Sequence, residues 1–224
     1  MNITNRYRAD YTGEFVVTNL VWAGNQKHQT REWLPNPIEN QHISGRAAVI
    51  GSALDQDQFD FKKLEKHKGG LLGQKKLQTY GSGDLWKSMK FDFYVTSSES
   101  NLQQVDATGY SEQNIVYTTA KNVSARPGKF YLVPHIGRLD ELAMAVYLAA
   151  FDGHTEVFLL GYSNDTHDIA GRITWKEHVN SVFAAYKTTQ FVLVGTETNM
   201  PDTWKNNRNV SCLDFRQFVT YCDV

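Results

Sequence analysis

The chain has 224 residues, enough for one large domain or a domain with an extension. Its 41% hydrophobic and 21% charged content is that of a globular protein, and 23 Lys+Arg against 24 Asp+Glu leave a net charge of −1, so no global field would draw it to nucleic acid or to an anionic membrane. Two cysteines, Cys212 and Cys222, exclude a disulfide scaffold and a cysteine-based zinc site; two reduced thiols near a terminal strand are expected, with a Cys212–Cys222 bridge as the alternative. No apolar window of about 18 residues predicts a membrane span. The N-terminal stretch lacks the apolar core of a signal peptide, which points to cytoplasmic synthesis, or to host cytoplasm and virion for a viral chain.

In chain order, 13–22 reads as a strand, Ala23-Gly24-Asn25 as a turn and 26–33 as a polar partner strand. Pro35 and Pro37 then stiffen a connection that cannot be a central strand or a helix. Residues 1–45 are therefore expected to form a β-hairpin arm, with Trp22 and Trp33 clamped onto the chain's own domain or onto a neighbouring subunit. The body, 46–224, opens with a strand at 46–50 and its turn, Gly51-Ser52. A short helix at 59–67 and a strand from 69–73 follow. The basic run from Lys62 to Lys76 reads as a solvated helix face. Residues 84–89 can be helical, while 91–96, 114–118 and 130–133 are strand-like.

The clearest signal lies at 139–162. Leu139, Leu142, Ala143, Val146, Tyr147 and Ala150 recur at helical spacing, Asp152-Gly153-His154 turns the chain, and Val157-Phe158-Leu159-Leu160 is a continuous apolar run. Such a run after a helix predicts a strand buried on both faces of a parallel sheet. Beyond it come a polar loop at 161–172, an amphipathic helix at 174–186, a strand at 191–195, a loop at 200–204 and a tail at 210–224 that supplies a last strand. Alternating strands and helices predict a mostly parallel α/β sheet with helices on both faces.

Ligands in such sheets sit where the strands' carboxyl ends meet their loops. The first such loop, Gly51-Ser52-Ala53-Leu54-Asp55-Gln56-Asp57, allows close backbone approach only at Gly51, and its two aspartates would repel a phosphate. Neither the dinucleotide fingerprint nor the GxxxxGK[ST] loop is present, so an NAD-dependent or ATP-hydrolysing enzyme is not expected. The later loop carries Tyr162, Asn164, Asp165, His167, Asp168 and Arg172. A histidine flanked by carboxylates can serve as a general base, although Asn164-Asp165 is also ordinary turn chemistry. No tight ligand spacing supports a metal among Asp55, Asp57, His135 and His167. Arg138 precedes a helix, where a cation opposes the helix dipole; it either binds an anion or pairs with Asp140 or Glu141.

Residues 138–166, with Arg138, the alanine-rich helix and Gly153-His154-Thr155-Glu156-Val157-Phe158-Leu159-Leu160-Gly161, resemble the bacterial sialyltransferases that use a cytidine-monophosphate sugar donor, and related proteins of the same nucleotide-sugar fold. Val49-Ile50-Gly51-Ser52 with 59–64 looks like the family's opening strand, loop and helix, and 91–98 like its next donor-facing strand. The resemblance implies a Rossmann-like fold and a nucleotide-sugar donor. It also implies His167 as general base, Asp165 as its orienting partner, and Arg138, Ser97, Gly51 and Tyr162 at the substrate, with no metal or other cofactor. Departures are visible. Gly51-Ser52-Ala53-Leu54-Asp55 stands where the family has Gly-Asn-Gly-Pro-Ser, Ser97-Ser98 where it has asparagine-proline, and His167 meets the histidine position only to within a few residues. A fold alone does not license a function. The expectation is therefore a glycosyltransferase-like domain whose catalysis is retained, altered or lost. The alternative is a non-catalytic assembly protein, for example a virion component, working as a homo-oligomer or in a larger assembly.

Overall fold

The computed structural model describes residues 14–35, 45–51, 60, 62–65, 77–135, 138–162 and 175–223. The hairpin is present as expected. Strands β1 (Glu14–Ala23) and β2 (Gln26–Pro35) pair antiparallel in a register that sets Ala23 opposite Gln26. Gly24, at φ 62, opens the two-residue loop, as a type II′ turn requires. Trp22 does not clamp onto the body. It is 66% exposed, Leu20 is 57% exposed, and Lys27 Nζ stands 6.0 Å from the Trp22 ring. The Trp33 side chain lies outside the described residues.

The body contains β3 (Arg46–Ile50), β4 (Gln78–Gly81), β5 (Phe93–Val95), β6 (Ile115–Thr118), β7 (Tyr131–Leu132), β8 (Glu156–Leu160), β9 (Gln190–Val194) and β10 (Val210–Leu213). They form one eight-stranded sheet in the order β10-β9-β8-β3-β4-β5-β6-β7, parallel throughout. The helices are α1 (Lys62–Glu65), α2 (Glu99–Ala107), α3 (Tyr110–Gln113), α4 (Ala120–Ala125), α5 (Glu141–Phe151), α6 (Trp175–Ala185), α7 (Asp202–Lys205) and α8 (Phe215–Cys222).

Strand alternation sorts the core into two layers. Ala47, Val49, Val157, Leu159, Phe191 and Leu193 point to the face covered by α5, α6 and Trp204 of α7. Ala48, Ile50, Phe158, Leu160, Val192 and Val194 point to the other, where Leu64, Trp86, Leu102, Val105, Val123 and Phe218 pack. The apolar run 157–160 is 0% exposed, and burying each of these side chains stabilises the fold by about 1.5–3 kcal/mol. Helix α5 is buried continuously from Ala143 to Phe151, as a helix apolar all round must be.

Strands added on the β4 side of β3 are reached by helices on the second face, and those on the β8 side by α5, α6 and α7 on the first. Moving the opposite way along the sheet while crossing on the opposite face keeps one hand for every crossover. Strand order therefore reverses between β3 and β8, and the carboxyl ends of these two strands are where a doubly wound sheet places its ligand crevice.

Four expectations change. The strand beside β3 is Gln78–Gly81, while the expected 69–73 lies outside the described residues. Residues 99–107, 110–113 and 120–125, for which no element was expected, are helical. The expected loop at 200–204 contains the one-turn α7, whose Trp204 is 0% exposed and donates from Nε1 to Lys176 O at 3.0 Å. The tail is a strand only to Leu213. Asp214 then accepts from Gln217 N and Gln217 Oε1 accepts from Asp214 N, a capping box that starts α8. Arg46 and Tyr221 hold α8 to the sheet by meeting at Glu156: Arg46 Nε and the Tyr221 hydroxyl each donate to its carboxylate at 2.8 Å, with the guanidinium 4.6 Å over the Tyr221 ring. Cys212 and Cys222 are both free, and burial pushes the Cys222 thiol up to about 11.

Candidate functional site

The crevice starts at Gly51. Its N–H extends the β3–β8 ladder by donating to Leu160 O at 2.8 Å. A Cβ at this position would stand 3.0 Å from Gly161 O, 3.1 Å from Leu142 Cδ2 and 3.2 Å from Tyr162 Cε2. Glycine here lets the ends of β3 and β8 lie against the first turn of α5. Tyr162 closes the same packing from below: it is 1% exposed, donates from its hydroxyl to Leu142 O at 2.9 Å and meets the Trp175 ring edge-on. Burial pushes the Tyr162 phenol well above its ordinary value, with Asp140 and Glu141 adding to the shift. Tyr162, expected at the substrate, is buried here, where its ring and hydroxyl support Gly51 and Leu142.

The opposite rim is built on Glu141, the first residue of α5. Its Oε1 accepts from Gly83 N at 2.8 Å, and its Oε2 accepts from Thr96 Oγ1 at 2.8 Å and Ser97 N at 3.0 Å. One carboxylate thus joins the turns after β4 and β5 to the start of α5. Tyr94 donates to Gly83 O at 2.8 Å, and Asn122 Nδ2 reaches Thr118 Oγ1 at 3.0 Å and Ser97 O at 3.4 Å, extending the tie to β6 and α4. Helix α5 is capped separately by Asp140, whose Oδ1 accepts from Leu142 N at 2.9 Å. Asp140 N in turn donates to His178 Nδ1 at 2.9 Å, so a neutral His178 carries its hydrogen on Nε2.

Ser97 lies on this rim, and Arg138 stands three residues before Glu141 in the chain. Ser97 is exposed beside Glu141, and Arg138 is exposed two residues before the cap, with no ion pair to Asp140 or Glu141 among the described residues. Gly51 lies at the crevice floor. His167 and Asp165 fall outside the described residues, as do 52–59, which carry Asp55 and Asp57. Among the described residues no three His, Cys, Asp or Glu side chains gather as a metal site would need. No described helix is long and apolar enough to cross a membrane.

Three polar residues whose partners the sequence did not show shape the molecule. Glu141 and His178 sit in helices whose apolar spacing draws the eye elsewhere, and nothing local marks their partners 38 to 58 positions away. Tyr80 is the third. Its hydroxyl donates to Asp152 Oδ2 at 2.6 Å and lies 2.9 Å from His154 Nε2, with all three residues at most 1% exposed. Burial, then Asp152, holds the Tyr80 phenol well above its ordinary value.

No protein-family model and no curated protein matches the chain. Solved structures similar to it include an alpha-2,3-sialyltransferase from Campylobacter jejuni in apo form, 10% identical, with a TM-score of 0.48 over 75% of this chain and 83% of that one. The monofunctional alpha-2,3-sialyltransferase Cst-I of the same organism is 8% identical, with a TM-score of 0.44 over 73% and 82%. The sialyltransferase CST-II in complex with trisaccharide acceptor and CMP is 11% identical, with a TM-score of 0.41 over 66% and 80%. The likeness is a weak one of fold.

Proposed function

We propose that the crevice between β3 and β8 receives a nucleotide-sugar, and that this chain is a glycosyltransferase-like domain with weak donor binding. The observation that carries this reading is the reversal of strand order between β3 and β8, with Ser97 exposed on the facing rim and Arg138 exposed just before α5. A neutral hydroxyl and a guanidinium suit a sugar hydroxyl and a phosphate or carboxylate oxygen. In this proposal Ser97 and Arg138 contact the donor, Gly51 admits its backbone-facing edge, and Tyr162 supports the floor. His167 takes the proton from an acceptor hydroxyl and Asp165 orients the imidazole.

Weak binding follows from charge. Asp140 and Glu141 stand at the start of α5, and Asp55 and Asp57 follow β3, so a phosphate would meet carboxylates in a partly desolvated crevice. Calorimetry with cytidine monophosphate and its sugar conjugate is expected to give roughly millimolar affinity, about −4 kcal/mol. Micromolar binding would show that the carboxylates do not face the phosphate; no saturable binding at all would remove the nucleotide-sugar reading. If transfer accompanies binding, His167→Ala should abolish it with little loss of stability, and unchanged turnover would take His167 out of the mechanism.

A second reading, assembly, is favoured by the arm. A lone two-stranded hairpin is marginal in water, yet Leu20, Val21 and Trp22 stand 50–66% exposed at its tip. Removing 1–36 should leave a folded body whose mass by light scattering drops to the monomer. A truncated body that keeps the full-length chain's mass excludes the arm as an assembly device, and one that fails to fold places the arm in the body's own core.

A further inference from the structure

We propose that the crevice contains a built oxyanion cradle and that Glu141 is its resident anion. Three donors from two separate turns converge on this one carboxylate: Gly83 N–H after β4, and the Thr96 hydroxyl and Ser97 N–H after β5. None belongs to the helix that carries Glu141. Capping of α5 is done by Asp140, so Glu141 is not needed for its own helix and is spent on the strand ends. Two backbone amides and a hydroxyl gathered on the two oxygens of one carboxylate are the groups that hold phosphate or sulfate elsewhere in proteins.

The turn that carries Gly83 also holds an unpaired buried hydroxyl. Ser82 directly precedes Gly83 in the same turn; it is 0% exposed, and its hydroxyl has no hydrogen-bond partner among the described residues. A buried hydroxyl left unpaired costs about 1–3 kcal/mol. Both Glu141 oxygens are already committed, and Gly83 N–H, the Thr96 hydroxyl and Ser97 N–H are the donors that inorganic phosphate or a phosphate monoester would meet in its place.

The consequence is competitive. An anion reaches Gly83 and Ser97 only by displacing Glu141, which is covalently held at the position and always present. The inference does not require a nucleotide-sugar to be the ligand, since the three donors are in place whichever molecule enters.

The test is titration of inorganic phosphate, against chloride at matched ionic strength, into the full chain and its Glu141→Ala variant, read by the Gly83 and Ser97 backbone amides in ¹⁵N-resolved NMR. In the variant both amides are expected to shift along a saturable curve, with phosphate bound at least about tenfold more tightly than by the parent chain, or 1.4 kcal/mol. Equal movement in the parent would overturn the proposal, because Glu141 would then not be the occupant. A folded variant whose amides ignore phosphate would overturn it too, since the donors would not form an anion site. If Glu141→Ala folds only in phosphate, the anion has replaced the carboxylate and the proposal stands. Should it unfold in both buffers, Glu141→Gln, which keeps one acceptor and loses the charge, is read by the same two amides, and their indifference to phosphate would leave Glu141 a strut. Nucleotide-sugar binding by the parent is measured separately, so that reading can fail while this one holds.

Discussion

Two polar clusters lie at opposite ends of the central strands and behave in opposite ways. Tyr80, Asp152 and His154 meet where α5 ends and before β8 begins, and all three are sealed from water. At the other end, Glu141 gathers equally good hydrogen bonds, but its neighbours Ser97 and Arg138 remain exposed. Hydrogen-bond quality does not separate them; access does. A polar group with buried partners stabilises a fold, whereas exposed groups beside a fixed carboxylate are free to meet a ligand.

The sharpest break between the two ends should come from Tyr80→Phe. The ring still fills its place, but Asp152 Oδ2 and His154 Nε2 lose a buried partner, which costs about 2–3 kcal/mol in chemical denaturation. The sign of the pH effect can be worked out as well. Folded Tyr80 keeps its proton above the ordinary value of 10.0, while the unfolded chain releases it, so this contribution is complete below pH 10 and lost as pH rises beyond it. The variant should therefore lose less stability than the parent on going to alkaline pH. Equal alkaline slopes would show that the phenol is not shielded as its burial implies.

Next in size is Gly51→Ala, which tests the boundary between fold and site. The added methyl would lie 3.0 Å from Gly161 O, a backbone atom that cannot swing away, as well as near Leu142 and Tyr162. Overpacking of this kind costs about 1–3 kcal/mol. Because the strain falls on the ends of β3 and β8, the loss of stability should be accompanied by loss of whatever nucleotide affinity the parent shows. A variant as stable as the parent would mean that the strand ends are not held as closely as the β3–β8 ladder places them.

Much of the sheet was legible because its central strands are apolar on both faces: 46–50, 157–160 and 191–194 need no context to read as buried parallel strands. β4 was not. Gln78-Thr79-Tyr80-Gly81 has one aliphatic-free, polar pattern, and it becomes a central strand because Asp92 accepts from both Thr79 N and Thr79 Oγ1, at 2.8 and 2.9 Å, while Tyr80 finds Asp152. Helices α2 and α8 carried local signals, Ser98 accepting from Asn101 N and the Asp214–Gln217 box, but their short amphipathic stretches are weak beside the apolar runs. The crevice was legible only as a place. Gly51 was expected from a strand end, Arg138 from a cation before a helix and Ser97 from the resemblance to sialyltransferases, whereas Glu141 depends on contacts at 44 to 58 residues' separation that no local pattern encodes.

The smallest effect on stability, and the one that separates the two ends most cleanly, should come from Ser97→Ala and Arg138→Ala. Ser97 binds Glu141 through its backbone N–H, which alanine retains, and Arg138 makes no ion pair among the described residues, so each change should stay within about 0.5 kcal/mol. Nucleotide-sugar affinity is a different matter. Losing a guanidinium that meets an anionic oxygen removes a charge-assisted bond of about 1.5–3 kcal/mol, tenfold or more in Kd, and losing a neutral hydroxyl about 0.5–1.5 kcal/mol. Arg138→Ala should therefore weaken binding more than Ser97→Ala, and raising the salt should erase more of the Arg138 effect than of the Ser97 effect. If both variants bind as the parent does, the exposed rim is not where the donor sits. If either loses as much stability as Tyr80→Phe, exposure does not distinguish the two ends of the sheet.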